Sequence, residues 1–228
     1  MGFHAGIAVA TAIVLYLVFY VVVVSSTFDR IRDTVAGVLA KRAAGVVILG
    51  GGAALVAWLF LPFTAAELGL VWPIPPSTWL WVGGASVIVV AGCILTAHKP
   101  ENFEMYPEMR VPLWGAGPVA ANAVSCASYM LAYEFLFRGF LLFACLAAMP
   151  AWLAIAVNVV LYALAHVAKG PREALGSLPL GIVLCLSAIE TGGIWAAFLI
   201  HVIMSQLNDY LAVRANPAMR FGFGGASA

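Results

Sequence analysis

Charged side chains are scarce in this sequence. Asp, Glu, Lys and Arg make up only 9% of its 228 residues, whereas 64% are hydrophobic. A soluble domain carries roughly a quarter charged residues, because its surface must be hydrated. This chain lacks the charge to cover a surface in water, and a lipid bilayer is the solvent that suits such a composition. We therefore expect an integral membrane protein whose first partner is membrane lipid.

Further absences exclude several kinds of site. The four cysteines show no paired spacing, so neither a disulfide framework nor a zinc knuckle is indicated. The formal net charge is +1 and no basic cluster is present, so we expect no nucleic-acid partner. The sequence also lacks an HExxH motif. That absence disfavours a zinc site, although His and carboxylate side chains could bind zinc, and we expect no cofactor.

Long apolar runs take the place of charge. A helix needs about 20 apolar residues to cross a bilayer, and Pro- and Gly-rich breaks separate seven candidate runs. The runs are 6–24, 43–61, 78–97, 118–149, 151–168, 175–189 and 194–213. The predicted fold class is therefore all-α, a polytopic bundle of about seven transmembrane helices that forms a single domain over 1–228.

The basic residues predict an orientation. Lys and Arg collect in cytoplasmic loops, because their translocation is disfavoured. Every basic residue except Arg138 falls in or beside the loops that follow the first, third, fifth and seventh runs. This alternation predicts an outside N-terminus and a cytoplasmic C-terminus.

A few ionisable residues lie inside the apolar runs. Each costs about 2.5 to 3.5 kcal/mol to insert, so each is a candidate functional residue. Glu134 and Arg138 in the fourth run are four residues apart and can pair on one helix face. Taken alone, such a pair could serve only to neutralise itself and hold helices together.

Two other runs carry polar residues on one face as well. The fifth run has Asn158, Tyr162 and His166 at four-residue steps. The polar positions of the seventh run are His201, Ser205, Asn208 and Asp209. Two histidines beside a carboxylate and an arginine favour a site that holds water and removes a proton from it.

These residues fall in segments that resemble the motifs of the CAAX protease and bacteriocin-processing family (CPBP or Abi) of intramembrane endopeptidases. The family motifs are Glu-Glu-x-x-x-Arg, Phe-x-x-x-His, a Gly-rich helix that ends in Thr-Gly, and His-x-x-x-Asn. Their counterparts here are Tyr133-Glu134-Phe-Leu-Phe-Arg138, Tyr162-Ala-Leu-Ala-His166, the helix from Gly181 to Thr191-Gly192, and His201-Val-Ile-Met-Ser205. The resemblance covers about 128–209, within the motif-bearing region 118–213.

The resemblance implies a mechanism. A glutamate and the first histidine of the family activate water, and the second histidine and the asparagine stabilise the oxyanion. Carried over, Glu134 and His166 activate water, Arg138 accompanies Glu134, and His201 becomes an oxyanion donor. The family's first glutamate is replaced by Tyr133 here. Tyrosine has a pKa near 10 and is a poor base, so either Glu134 is the base or hydrolysis has been lost.

The second departure is Ser205, which stands where the family has asparagine. Ser205 could donate a hydrogen bond itself, or Asn208 could supply the amide one turn further on. Tyr133 and Tyr162 would support the substrate beside these donors.

Two carboxylates are secondary candidates for the base, Glu173 and Asp209. Glu173 lies in Lys169-Gly-Pro171-Arg-Glu173, a segment similar to the Lys-Pro-x-x-Glu of some family members. The alternative for Glu173 is a helix-starting carboxylate after Pro171.

The sequence thus predicts a glutamate-type intramembrane peptidase. Its substrate would be a membrane-associated peptide or protein, and its location the cytoplasmic membrane of a bacterium or archaeon. The alternative is a non-hydrolytic pseudoprotease that acts as a peptide-binding, maturation or immunity protein, which Tyr133 favours. A small transporter is disfavoured, because the sequence shows no inverted repeat and no paired broken helices.

Overall fold

The computed structural model describes residues 2–25 and 30–222. Six of its helices are long and apolar enough to cross a bilayer. They are α1 (Phe3–Val23), α2 (Val35–Phe60), α3 (Ser77–Thr96), α5 (Ala116–Leu146), α7 (Pro171–Thr191) and α8 (Trp195–Ala215). A seventh apolar helix, α6 (Ala151–His166), is shorter at 16 residues.

The remaining elements are short. Helix α4 (Pro100–Met105) lies between α3 and α5, and a 3-10 turn (Val167–Lys169) follows α6. Two-residue strands β1 (Leu113–Trp114) and β2 (Arg220–Phe221) pair in parallel, which joins the segment after α8 to the loop before α5. The predicted all-α membrane bundle is confirmed. The orientation of its termini stays a prediction.

Each of the seven apolar runs corresponds to one helix, but α2 and α7 begin four or more residues earlier than predicted. Helix α2 starts at Val35 and not at residue 43, so Arg42 lies inside a helix and is only 3% exposed. Hydropathy alone assigned Arg42 to a loop, because the partners that neutralise it come from distant segments. Helix α7 starts at Pro171, since proline suits the first position of a helix, where its missing N–H costs nothing.

Helix α5 is the centre of the bundle. In its most apolar 18-residue window 78% of the residues are buried, whereas the other five long helices reach at most 39%. Its own large apolar side chains, such as Leu136, Phe137 and Phe140, are buried, which is the pattern of a helix enclosed by others. Helices α1, α2, α6, α7 and α8 pack against it.

A π-helical segment, Phe135–Leu141, interrupts α5 immediately after Glu134. Such segments are rare and occur frequently at functional sites. Asn158 of α6 is buried beside it and donates a hydrogen bond of 2.6 Å to the carbonyl oxygen of Phe137. Asn158 therefore supports the backbone of α5 next to the candidate site.

Glycines let other segments approach this part of α5. A Cβ atom on Gly139 would lie 2.7 Å from the carbonyl oxygen of Leu68, so no larger residue fits without a shift. A Cβ on Gly181 of α7 would lie 3.2 Å from the ring of Tyr162. Small residues at such contacts allow close packing of membrane helices, which here encloses the polar residues of α5.

Candidate active site

Glu134 is fully buried at the last position of α5 before the π-helical segment. It lies between the side chains of Arg138 and His201. The Nη1 atom of Arg138 is 3.2 Å from each carboxylate oxygen of Glu134. On the other side, Nδ1 of His201 from α8 is 2.5 Å from Oε1. The structure thus contains the Glu134–Arg138 pair expected from the spacing, and it adds His201 as a direct partner.

The second oxygen of Glu134 has unused acceptor capacity. Among the described residues Oε2 accepts no hydrogen bond, although it is buried. Arg138 is also fully buried, and its guanidinium carbon lies 4.1 Å from the ring centroid of Tyr162. Desolvating two charges is expensive, and one partner without the other would be strongly unfavourable. Glu134 and Arg138 are therefore mutually dependent in this position.

Four aromatic rings enclose the space beside this pair. The ring centroid of Tyr133 is 5.8 Å from that of His201 and 6.3 Å from that of His166. Tyr162 lies 4.5 Å from His166 and 6.2 Å from His201 by the same measure. Tyr133 and Tyr162 therefore each contact both histidines.

The tautomer of His166 is set by its own helix. Its Nδ1 is 2.8 Å from the carbonyl oxygen of Tyr162, one turn earlier in α6. A carbonyl only accepts, so Nδ1 carries the proton and Nε2 is the basic nitrogen of the neutral ring. In His201 the contact between Nδ1 and Glu134 makes Nε2 the nitrogen left for chemistry by the same argument.

A small cavity of about 30 Å³ joins the two histidines. Its lining residues are Tyr16, Tyr129, Met130, Tyr133, Ala165, His166 and His201. A cavity needs about 10–15 Å³ to hold one water molecule, so a water fits here. The cavity presents the two imidazoles and tyrosine rings to any water it holds.

His166 also borders a larger cavity of about 320 Å³ between α3, α6, α7 and α8. Asn208 and Glu173 lie in the wall of this cavity, together with Tyr106 and Tyr162. Glu134 lines neither this cavity nor the small one. The sequence analysis placed Asn208 near the reacting groups, and the structure brings it to the cavity that adjoins His166.

Glu173 is the third residue of α7, after Pro171. A carboxylate in the first turn interacts favourably with the positive end of the helix dipole, as the alternative interpretation of Glu173 required. Glu173 also lies in the wall of the 320 Å³ cavity, and its role as a secondary base stays a prediction.

Asp209 lies at a different place from the histidines. Its Oδ1 accepts a hydrogen bond of 3.1 Å from the backbone N–H of Glu108, and its Oδ2 is 3.6 Å from Arg42. Asp209 and His201 share a face of α8, but eight residues separate them by about 12 Å along the axis. A shared helix face was therefore insufficient to place Asp209 at the site.

Arg42 is the centre of this second polar group, which we call the Arg42 cluster. Its guanidinium binds Glu108 at 2.9 Å, the Asn122 side chain at 2.8 Å and the Ser125 hydroxyl at 2.9 Å. The members of the cluster are Lys41, Arg42, Glu108, Asn122, Ser125 and Asp209. The cluster ties α2, the loop before α5, α5 and α8 together.

Ser205 lies between the two polar groups. Its hydroxyl donates weakly to the sulfur of Met130 at 3.8 Å, and it lines a cavity of about 190 Å³ that also contains Arg42, Glu108 and Asp209. Ser205 lines neither cavity that contains His166. Asn208 is thus better placed than Ser205 to act as a donor beside His166.

Sequence reasoning missed Tyr16 and Tyr106. Tyr16 lines the small cavity and donates a hydrogen bond to the carbonyl of Ala165, next to His166. Tyr106 lines both the 190 Å³ and the 320 Å³ cavities, and burial raises its pKa well above the ordinary value. A tyrosine in the very apolar α1 was the signal for Tyr16, whereas nothing in the sequence marked Tyr106.

The described residues 2–25 and 30–222 contain no group of three His, Cys, Asp or Glu side chains arranged to hold a metal ion. We accordingly derive no step through a metal, and the expectation that the site works without zinc stays a prediction.

Fold and site together define a polytopic α-helical membrane protein with a buried glutamate, arginine and two histidines at its centre. Residues 115–207 match the family model described as Type II CAAX prenyl endopeptidase Rce1-like. The match begins just before α5 and ends within α8, so it includes Glu134, Arg138, His166 and His201. It confirms the resemblance to the CAAX protease family and supports, at the level of that family, an intramembrane protease. No curated protein and no solved structure matches the chain.

Proposed function

We propose that this protein is an intramembrane endopeptidase that hydrolyses a peptide bond of a membrane-associated peptide or protein with water held between His166 and His201. The observation that carries the proposal is the 2.5 Å contact between Glu134 and His201 at the edge of a cavity that also contains His166. A buried carboxylate bound to one imidazole nitrogen orients the ring and makes its other nitrogen a general base.

The Glu134–His201 pair activates the water. Nε2 of His201 takes a proton from the water as the water oxygen attacks the peptide carbonyl carbon. Glu134 then stabilises the imidazolium that forms, and Arg138 balances the carboxylate charge within the bundle. When the C–N bond breaks, His201 returns the proton to the departing nitrogen, so that one amine and one carboxyl group are produced.

His166 positions the reactants. It borders both the small cavity, which fits water, and the 320 Å³ cavity, which has room for a segment of polypeptide. Its Nε2 can accept a hydrogen bond from the water, because Nδ1 donates to Tyr162. Asn208 in the wall of the larger cavity supplies an amide donor for the carbonyl oxygen, where negative charge develops.

The assignment of roles differs from the family-derived expectation in one respect. That expectation paired Glu134 with His166 and gave His201 the oxyanion role. The distances favour the opposite division, because His201 contacts Glu134 and His166 faces the larger cavity. Tyr133 contacts both rings and shapes the cavity without an acid–base role.

The test is a comparison of protein termini in membranes that contain the wild type, Glu134→Gln or no copy of the protein. A hydrolase produces at least one new terminus with the wild type, and that terminus is missing from the other two samples. Equal amounts of Glu134→Gln protein and an equal melting temperature in detergent are the required controls. Identical termini in all three samples would contradict the proposal.

One observation favours a non-hydrolytic pseudoprotease as the second candidate. Tyr133 occupies the position of the family's first glutamate, and its ring packs against both histidines. In that case the 320 Å³ cavity binds a peptide without cleaving it. Crosslinking of a membrane peptide to the wall of this cavity, with no new terminus in the proteome, would support this second function.

A further inference from the structure

Tyr16 of α1 lies outside the matched region 115–207, yet it touches the site directly. Its hydroxyl donates a hydrogen bond to the carbonyl oxygen of Ala165, the residue before His166. Its side chain also lines the small cavity between His166 and His201. The geometry points to Tyr16 as a positioning residue that fixes the end of α6 and, through it, His166.

The end of α6 needs such a partner. The last four carbonyl groups of an α-helix have no partner within the helix, and α6 ends at His166. Among these four, the carbonyl of Leu164 accepts from the N–H of Val167. Ala165 receives its bond from α1, so Tyr16 connects this turn to a different helix.

The position of the imidazole depends on this turn. Nδ1 of His166 is bound to the backbone of its own helix, at the carbonyl oxygen of Tyr162. A shift of the turn therefore moves the ring together with the backbone. Without the Tyr16 hydroxyl, this hydrogen bond between α1 and the end of α6 is lost in an apolar environment, and the turn can shift.

The catalytic consequence rests on the proposed function. If His166 positions water beside His201, a displaced ring lowers the rate of the chemical step, whereas the binding of a peptide in the 320 Å³ cavity is little affected. Misplacement by about 1 Å can lower a rate by up to about 100-fold. We expect Tyr16→Phe to lower kcat by roughly 10- to 100-fold with little change in KM.

Tyr20→Phe is the matched control. Tyr20 lies one turn further along α1, and together with Tyr16 it lines an apolar groove between α1 and α6. Its hydroxyl makes no hydrogen bond to any residue that the structure describes. Both substitutions remove one hydroxyl and retain the ring. A general effect of losing a tyrosine hydroxyl from α1 would appear in both variants, whereas a positioning effect appears only in Tyr16→Phe.

The decisive measurement is the 15N spectrum of the histidine rings at fixed pH in detergent, with His166 assigned through His166→Gln. The sequence has only four histidines, so the spectrum is simple. We expect the His166 signals to shift or broaden in Tyr16→Phe and to remain unchanged in Tyr20→Phe. Identical His166 signals in wild type and Tyr16→Phe would overturn the inference, as would equal shifts in both variants.

This spectrum separates the two proposals. A wild type that cleaves nothing contradicts the proposed function, but the His166 signals still decide whether Tyr16 positions the ring. A wild type that cleaves its substrate, with equal kcat in Tyr16→Phe, leaves the proposed function intact and overturns the role of Tyr16.

Discussion

His201 and Glu134 are 67 residues apart in the sequence, and their side chains meet at 2.5 Å in the centre of the bundle. The contact joins α5 to α8 through a carboxylate that is also held by Arg138. Each of the two helices therefore contributes one half of a polar pair that neither could bury alone. The carboxylate can orient the His201 ring only when both halves are present.

The first prediction follows from this contact. Glu134→Gln and His201→Gln should each lower the cleavage rate strongly but measurably, and the double variant should lose little more than either single one, because residues that act as a unit are strongly non-additive. Rates on a substrate found by terminal proteomics provide the measurement. Since Glu134→Gln leaves the charge of Arg138 unbalanced, each variant must first match the wild type in abundance and melting temperature. Additive losses would show that Glu134 and His201 act separately.

Local patterns in the sequence were sufficient for the helices and for one contact. Apolar length predicted all seven helices, and the four-residue spacing predicted that Glu134 meets Arg138. Both depend only on neighbouring residues. The contact of His201 with Glu134 depends on how α8 packs against α5, and no periodicity within one helix contains that information.

The same reason explains what was misplaced. Asp209 shares a face of α8 with His201 but belongs to the Arg42 cluster, because position along the axis matters as much as the face. The burial of Arg42 was unpredictable from hydropathy, since Glu108 and Asn122 are 66 and 80 residues away in sequence. Family resemblance predicted which residues react but gave no contact distances.

The second prediction concerns stability. Arg42→Met leaves Glu108 and Asp209 without their shared cation inside the bundle, and breaking a buried ion pair costs about 3–5 kcal/mol. We expect a markedly lower midpoint in thermal unfolding in detergent. Arg214→Met is the matched control, since Arg214 is exposed on α8 and should change the midpoint little. Equal midpoints for Arg42→Met and wild type would show that the Arg42 cluster contributes no net stability.

The third prediction is topological. The distribution of Lys and Arg predicts that the segment from Arg30 to Arg42 and the C-terminus lie in the cytoplasm. Arg220→Cys in a cysteine-free variant should therefore not be labelled by an impermeant thiol reagent in intact cells. It should be labelled after the cells are opened. Labelling of intact cells by the impermeant reagent would show that the orientation is the reverse of the predicted one.

The fourth prediction concerns metal. Because Glu134 already binds His201 and Arg138, its carboxylate is engaged by proton donors that would compete with a metal ion. We expect elemental analysis of purified protein to find well under one zinc per chain, and chelators to leave activity unchanged. Stoichiometric zinc that disappears in His166→Gln or His201→Gln would make these histidines ligands.

The last prediction distinguishes the hydrolase from the pseudoprotease. Tyr133→Phe removes only a hydroxyl from a ring that packs against His166 and His201, so most of the activity should remain. Tyr133→Glu restores the family's usual first motif but places a second carboxylate in a buried aromatic environment, where an uncompensated charge is costly. For an active wild type we therefore expect Tyr133→Glu to lower both stability and cleavage, measured as melting temperature and as the yield of the new terminus. An inactive wild type that gains cleavage through Tyr133→Glu would show that hydrolysis was lost at this position, and the protein would then be a peptide-binding pseudoprotease.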